Sequence, residues 1–316
     1  MSGSVSLWCE EEVRGKQVEE NQQVEARVQP QLRAQWDPSV SGKRVIQGLL
    51  QVEERYLPSA LYVALIQREP ERREELAKWA MEVCCECGCD ETVFPLAVSL
   101  LDRFLSASLS LPVSPYCLAA TCILISSKLS ECDTVSADTL CAAADYSFLP
   151  SNMREMERVV LGTLRWDMAA VTPQDFLPHF LPPVGQPTDG ETNPEDYFAT
   201  LRRHSDTLVA MCVCDYRFLG APPSLVAAAA LNSALRGLGN KGPGHMGDMS
   251  ATLAELCQTD LMVLQCYSDL IEAALKQRLS GGLQDSALEK GEEMEKDGEM
   301  EDERAGTPTD MREIDF

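Results

Sequence analysis

The chain has 316 residues, of which 45% are hydrophobic, and its formal net charge is -23. This length is sufficient for two compact domains with tails. The acidic excess argues against nucleic-acid binding, which needs clustered Lys and Arg. No apolar leader segment follows the first residues, and the longest uncharged stretch, residues 104–127, contains prolines and serines. We therefore expect neither a signal peptide nor a membrane span.

The first half of the chain predicts a flexible arm followed by helices. Residues 1–40 are polar and irregular, and a first helix is expected at residues 43–55. Residues 115–129 are apolar nearly all round, which is typical of a helix at the centre of a bundle. Two amphipathic helices precede it, and their apolar positions are Leu76, Trp79, Ala80, Val83 and Cys84, then Phe94, Ala97, Val98, Leu101, Phe104 and Leu105.

Shorter helices at residues 137–144 and 152–164 end the first half and lead to a hinge at residues 169–173. The second half repeats the order of amphipathic helices, an apolar central helix and shorter helices. No alternating strand pattern is visible in the sequence, so it predicts an all-α fold of two similar helical domains. Beyond the hinge we expect a short helix at 174–180, a stripe from Phe198 to Cys212, an apolar central helix at 224–237, a loop at 239–247, a short helix at 253–257 and a last helix capped by Asp260.

Two charged residues occupy unusual positions on the predicted helices. Arg73 projects onto the side of its helix that carries Leu76 and Ala80, and Asp102 borders the apolar stripe of the next helix. Burying either charge alone is costly, so the two are predicted to form a buried salt bridge. In the alternative, Arg73 only extends its stem along the surface at the helix start.

Lys128 and Glu157 are candidate partner-binding residues. Lys128 ends the apolar helix at 115–129, where a lysine also complements the helix dipole without any further role. Glu157 lies on the helix at 152–164, whose apolar face is expected nearby. Together the pair offers both signs of charge to the backbone groups of a partner.

Thirteen cysteines occur in the chain, including a cluster at Cys84, Cys85, Cys87 and Cys89. Zinc sites favour Cys pairs repeated at a distance, whereas this cluster is too tightly spaced and has no second pair. We therefore expect no metal and no cofactor, and interpret the cysteines as reduced residues in the core or at helix ends. A thiol or metal enzyme has no supporting constellation of residues.

Three segments resemble the cyclin box of D-type cyclins: FPLAVSLLDRFLS, AATCILISSKLSE and RWDMAAVTPQDFLPHFL. The resemblance runs from about residue 43 to residue 280. It implies two tandem five-helix cyclin-box domains, at 43–172 and 173–280, between an N-terminal arm (1–40) and an acidic disordered tail (281–316). It also implies that Lys128 and Glu157 contact a cyclin-dependent kinase, and that Arg73 and Asp102 form the internal salt bridge of the family.

The arm and the tail carry two further motifs. Leu7, Cys9 and Glu11 fit L-x-C-x-E, by which D-type cyclins bind retinoblastoma-family pocket proteins. Residues 285–316 contain 13 acidic and 4 basic residues. In this tail Thr307 precedes Pro308 and resembles the proline-directed phosphorylation site that signals nuclear export and ubiquitin-dependent destruction. The alternatives are a disordered tail without regulation and a flexible arm that binds no partner.

The substrate-docking groove of many cyclins is altered in this chain. The groove would contain Leu76, Trp79 and Glu82, but two apolar positions of the family are here Arg72 and Glu75, and Tyr116 replaces a glutamine. The sequence therefore places docking by this route in doubt.

The resemblance implies a function as a regulatory subunit, not an enzyme. Such a subunit activates a cyclin-dependent kinase of the D-cyclin-dependent class at the G1/S transition and directs it to retinoblastoma-family substrates. Kinase inhibitor proteins and a ubiquitin ligase are further implied partners, and nucleus and cytoplasm are the implied locations. The alternative is a cyclin-fold adaptor that activates no kinase.

Overall fold

A computed structural model describes residues 42–108, 114–131, 133–184, 194–238 and 243–289. These residues form α-helices and two short 3-10 helices, without a strand, which confirms the all-α prediction. No helix in this described part combines the length and the apolar character needed to cross a membrane. The α-helices are α1 (Lys43–Glu53), α2 (Ala60–Ile66), α3 (Glu71–Glu86), α4 (Val93–Ser108), α5 (Pro115–Ser130), α6 (Ala137–Ala143), α7 (Pro150–Thr163), α8 (Pro173–Val184), α9 (Pro194–Cys214), α10 (Pro223–Gly237), α11 (Pro243–Leu256) and α12 (Leu261–Glu289).

The first bundle consists of the five helices α3 to α7. Every residue of α5 from Cys117 to Ser127 is buried, and α3, α4 and α7 pack around it. Such a helix has no polar face to turn to water, so the most stable position for it is the centre of the bundle. The largest fully buried side chains of this core are Leu100, Leu101, Leu118, Ile123, Leu140 and Met153.

The second bundle consists of α8 to α12 and surrounds α10. All residues of α10 from Pro223 to Leu235 are buried. Asn232 in this core is paired at both ends of its amide, because Nδ2 donates to Ser268 Oγ at 2.9 Å and Oδ1 accepts from Ser250 Oγ at 2.7 Å. A buried amide satisfied in this way avoids the cost of an unpaired polar group.

Helix α1 packs on the second bundle, although residues 43–55 fall within the range predicted for the first. Its buried Ile46 belongs to the second core. At its end, Glu53 accepts hydrogen bonds from Ser224 N at 2.9 Å and Ser224 Oγ at 2.8 Å, at the start of α10. A carboxylate in this position satisfies a free N–H group and the positive end of the helix dipole. Burial nevertheless raises the pKa of Glu53, against the effect of these hydrogen bonds.

Four features differ from what the sequence predicted. Helix α2 was not expected; it begins where Ser59 Oγ accepts from Tyr62 N at 3.3 Å. The helix expected at 174–180 continues to Val184 despite internal prolines, because it buries Phe180, Leu181 and Val184. The loop expected at 239–247 is wrong from Pro243 onward, since proline at a first helical position lacks only an N–H that the helix does not use. Helix α12 also extends past residue 280, into the range assigned to the tail.

Polar side chains join the two bundles on one side. Arg202 of α9 donates to Glu91 Oε1 at 2.9 Å and to Asp206 Oδ2 at 2.8 Å. Asp206 is 15% exposed, and its Oδ1 atom has no hydrogen-bond partner among the described residues. Burial, only partly offset by the charge of Arg202, raises the pKa of Asp206 to about 6. The ionised carboxylate at this contact is therefore less stable than it is in the unfolded chain.

We expect Asp206→Asn to stabilise the protein by on the order of 2 kcal/mol near neutral pH. The folded pKa of Asp206 lies above the usual value of 3.8, so the folded state holds the proton more tightly than the unfolded state. The folded state is therefore destabilised progressively as pH rises from the usual pKa of 3.8 to the folded pKa of about 6. Urea unfolding of both proteins at about pH 5 and about pH 7.5 measures the free energy of unfolding, and the stabilisation by Asp206→Asn should be smaller at the lower pH. The exposed Asp269→Asn is the control, and a gain for Asp206→Asn that is equal at both values contradicts the prediction.

Candidate partner-binding surface

Lys128 and Glu157 form an ion pair on the outside of the first bundle. Lys128 Nζ, at the carboxyl end of α5, lies 2.6 Å from Glu157 Oε1 on α7. Their side chains are 46% and 21% exposed. Lysine has three N–H donors and a carboxylate about four acceptor positions. One contact between them leaves both groups with capacity for a partner.

A hydrogen-bond network fixes the end of α5 next to Lys128. Ser127 Oγ donates to Glu131 Oε2 at 2.6 Å and accepts from Val135 N at 2.9 Å. Glu131 Oε1 in turn accepts from Asp90 N at 2.7 Å. The network ties the last turn of α5 to the connection that precedes α4, so the backbone that carries Lys128 is held in place.

Large apolar side chains are exposed on the same two helices and their connections. Leu129 follows Lys128 directly, and Leu149 lies two turns before Glu157. Exposed apolar groups of this size gain free energy when a partner removes them from water. The most exposed side chains of this set are Leu129, Tyr146, Leu149, Val159 and Trp166.

Trp166 is presented by a rigid turn after α7. It is 75% exposed and has a φ of 62°, a left-handed conformation that is unfavourable for a tryptophan. Trp166 N donates to Leu161 O at 2.8 Å. The next residue is held as well, because Arg103 Nη2 donates to Asp167 O at 2.7 Å and Arg55 Nη2 bonds Asp167 Oδ2 at 2.7 Å. The backbone that carries this exposed ring is therefore held by hydrogen bonds, which lowers the entropy lost when a partner buries the ring.

Arg73 and Asp102 meet in the interior of the first bundle. Arg73 Nη2 lies 2.8 Å from Asp102 Oδ2, and Arg73 Nε lies 3.1 Å from Oδ1. The two side chains are only 4% and 7% exposed. Tyr62 Oη also donates to Oδ1 at 2.9 Å, and Arg73 Nη1 donates to Cys214 O at the end of α9 at 2.9 Å. The pair therefore joins α3 to α4 and also connects the two bundles.

The pKa directions agree with this arrangement. Burial by itself lowers the pKa of Arg73, but the charge and hydrogen bonds of Asp102 raise it above its usual value. Burial and the charge of Asp102 raise the pKa of Tyr62. Arg73 therefore stays charged and Tyr62 stays protonated, as donors to one carboxylate.

The three groove residues lie differently from one another. Leu76 is buried in the first core, and Glu82 is exposed. Trp79 is half-buried, and its ring meets the exposed ring of Tyr116 edge to face, with centroids 5.2 Å apart. Tyr116 thus contacts the ring of Trp79, the aromatic residue of the predicted groove.

Several predicted sites are not covered by the structure. Leu7, Cys9, Glu11 and Thr307 lie outside the described residues. Within the described ranges, no three His, Cys, Asp or Glu side chains converge as metal ligands. Of the cysteine cluster, Cys84 is buried and Cys85, Cys87 and Cys89 are half-buried.

Two family models match the chain in tandem. The model described as "Cyclin, N-terminal domain" matches residues 44–169, and "Cyclin, C-terminal domain" matches residues 171–290. The chain belongs to the cyclin family. Cyclins are regulatory subunits of kinases and are not themselves enzymes.

Its relatives place this cyclin among the D-type cyclins. It is 37% identical to bovine G1/S-specific cyclin-D3 over 286 residues, covering 89% of this chain and 95% of the relative. It is 35% identical to mouse G1/S-specific cyclin-D2 over 294 residues, with coverages of 92% and 98%, and 35% identical to mouse G1/S-specific cyclin-D1 over 291 residues, with coverages of 90% and 95%.

A solved structure supports the fold. The X-ray structure of a viral cyclin from herpesvirus saimiri matches with a TM-score of 0.59 at 22% identity. The match covers 73% of this cyclin and 96% of the viral chain.

Sequence reasoning missed part of the surface of this cyclin. Trp166 lies in a segment that carries the resemblance, but its exposure depends on the left-handed turn after α7. Leu129 and Leu149 were not singled out either, because they lie at helix ends, where the periodic pattern that separates buried from exposed positions stops. The one available signal was the position of Leu129, directly after Lys128.

Proposed function

We propose that this cyclin binds and activates a cyclin-dependent Ser/Thr kinase of the D-cyclin-dependent class and thereby promotes the G1/S transition. The observation that carries the proposal is the Lys128–Glu157 ion pair at 2.6 Å among exposed apolar side chains on α5 and α7. The relatives are G1/S-specific cyclins of the D type. The partner contact is thus expected on the first bundle.

The mechanism follows from differential binding. A subunit activates a kinase only if it binds the active conformation more tightly than the inactive one. Moving that equilibrium from 1:99 to 99:1 requires about 5.5 kcal/mol. At about 25 cal/mol per Å² of buried apolar surface, Trp166, Leu129 and Leu149 can supply a substantial part. Lys128 and Glu157 then fix the register, because their free donors and acceptors match carbonyl and N–H groups of the kinase backbone.

Substrate choice is proposed to depend on the arm. Leu7, Cys9 and Glu11 would hold a retinoblastoma-family pocket protein near the kinase and raise its effective concentration. This route does not need the groove at Trp79, which Tyr116 contacts. We further propose that kinase inhibitor proteins bind the complex and that a ubiquitin ligase recognises phosphorylated Thr307. The protein is proposed to distribute between nucleus and cytoplasm.

Co-expression with candidate cyclin-dependent kinases tests the proposal directly. We expect a stable one-to-one complex with a kinase of the D-cyclin-dependent class, and phosphorylation of a pocket-protein fragment that neither subunit achieves alone. A cyclin-fold adaptor is the alternative. It would bind its partners without any gain in kinase activity, and that result across the candidate kinases would overturn the proposal.

Replacing Leu7, Cys9 and Glu11 together by alanine separates recruitment from activation. We expect the KM for a pocket-protein substrate to rise by about 100-fold, because tethering commonly contributes 10²–10⁴ in avidity. Activity on a short peptide that lacks pocket domains should not change. Glu10→Ala, which alters the same arm outside the fixed motif positions, is the matched control. An equal loss on both substrates would contradict recruitment by the arm.

A further inference from the structure

A cavity of about 200 Å³ lies between the two bundles, on the side where Arg202 bonds Glu91. It is separate from the Lys128–Glu157 surface. Its apolar wall includes Met81, Phe94 and Ala210, and three thiols, those of Cys84, Cys85 and Cys89, also line it. The cysteines of the described part of the chain are reduced. The cavity therefore gives small solutes a route to a group of thiols.

The turn that ends α3 brings two of these thiols together. Gly88 has a φ of 64°, and its N–H donates to Cys85 O at 3.1 Å, while Cys89 N donates to Cys84 O at 3.0 Å. These bonds define a Schellman motif, in which the side chain after the left-handed glycine contacts the side chain five residues earlier. Those two residues here are Cys89 and Cys84, so the motif brings their side chains together.

The two thiols have different environments. Cys84 is buried, whereas Cys89 is half-buried at the cavity. Interaction with the Cys84 side chain lowers the pKa of Cys89, although burial and the charges of Glu131 and Asp90 oppose this effect. The same contact and burial raise the pKa of Cys84. Cys89 is thus the more accessible thiol and the one that more readily ionises, which are the properties of an attacking thiol.

We propose that Cys84 and Cys89 form an oxidation site, at which a hydroperoxide converts the thiol pair to a disulfide. The Cys89 thiolate attacks the terminal oxygen of the hydroperoxide, the O–O bond breaks, and Cys89 sulfenic acid and an alkoxide or hydroxide result. That anion takes up a proton. Cys84 then loses its proton as its sulfur attacks the Cys89 sulfur, and the S–O bond breaks to release water. In total the two thiols lose two protons and two electrons, and the hydroperoxide takes them up to give water and an alcohol or a second water.

The sequence spacing suits this product. A disulfide requires Cα atoms about 4.4–6.8 Å apart, and the backbone hydrogen bond from Cys89 to Cys84 already holds the two residues side by side. The bond would close within the turn and require no movement of α3 against α4. Cys87 occupies the same turn but does not line the cavity, so it provides a matched comparison.

The test treats the reduced full chain with hydrogen peroxide, labels the remaining thiols, and maps the cysteines by peptide mass spectrometry. In the Cys85→Ser/Cys87→Ser double variant, which keeps only the proposed pair in this segment, the peptide should lose two hydrogens. With Cys84→Ser, dimedone should label Cys89 as its sulfenic acid. With Cys89→Ser, loss of the Cys84 thiol should slow by about tenfold or more, because the more accessible and more readily ionised thiol is absent.

Two results would overturn the proposal. One is a double variant that keeps both thiols under peroxide doses that oxidise the exposed Cys266. The other is oxidation of Cys84 at the unchanged rate in Cys89→Ser. Circular dichroism confirms that each variant is folded, and the Cys84→Ser labelling decides the matter if Cys89→Ser does not fold.

Discussion

Reversing the charge of Lys128 to glutamate is expected to abolish kinase activation by this cyclin without unfolding it. The ion pair with Glu157 lies at the surface and is partly solvent-exposed, and surface pairs contribute about 0.2–1 kcal/mol to stability. In a complex, the glutamate would face the hydrogen-bond acceptors of the kinase that bind the Lys128 ammonium in the wild-type protein. Losing a desolvated charged contact costs about 2–5 kcal/mol, which corresponds to roughly 30-fold or more in affinity. Titration of the kinase, with activity and complex formation as readouts, measures the effect.

The double swap Lys128→Glu/Glu157→Lys identifies the source of the loss. It restores an ion pair between α5 and α7 but exchanges the two signs. If the kinase reads each position separately, as proposed, the swapped protein stays inactive. If the pair only stabilises the bundle, activity returns and the proposed contact is wrong. Arg236→Glu is a matched control in the second bundle, where Arg236 is 30% exposed and bonds Asp269 and Glu272, and it should leave activation unchanged.

The sequence predicted the two central helices because apolar character on all sides leaves no other stable position. Helices α5 and α10 are both enclosed by their neighbours. The same reasoning placed Arg73 and Asp102 on apolar faces of neighbouring helices, and the structure brings their charged groups together. For α5 and α10 the decisive information is the lack of a polar face, and for Arg73 and Asp102 it is their position on apolar faces combined with the cost of an unpaired buried charge.

What could not be predicted depends on contacts between distant parts of the chain. The third group at the Arg73–Asp102 pair is Tyr62, on a helix of seven residues that is too short for a periodic signal. The acceptor for Arg73 Nη1 is a backbone carbonyl of Cys214, and such carbonyls are present in every residue. The direct bond between Lys128 and Glu157 also depends on how α5 crosses α7, which neither helix encodes alone.

Asp102→Ala is expected to lower the free energy of unfolding by about 3–5 kcal/mol, the range for breaking a buried pair by removal of one partner. The change removes the acceptor for Arg73 Nε and Nη2 and for Tyr62 Oη at once. A guanidinium cannot deprotonate near neutral pH, so Arg73 would remain charged with no counterion in contact. A single domain has about 5–15 kcal/mol of stability, so the variant should unfold in much less urea.

The reverse truncation should cost less, and this asymmetry is the sharper test. In Arg73→Leu, Asp102 keeps the hydrogen bond from Tyr62 Oη, so the charged group that remains still has a partner. Combining Arg73→Leu with Asp102→Leu removes both charges and should recover part of the loss, as apolar replacements of buried pairs do elsewhere. Asp269→Ala, which breaks an ion pair whose carboxylate is 69% exposed, should cost less than about 1 kcal/mol. If Asp102→Ala costs no more than this control, the pair does not hold the bundles together. Because Arg73 also bonds Cys214 O, the same measurement reports how firmly the first bundle, with its partner-binding surface, is anchored to the second.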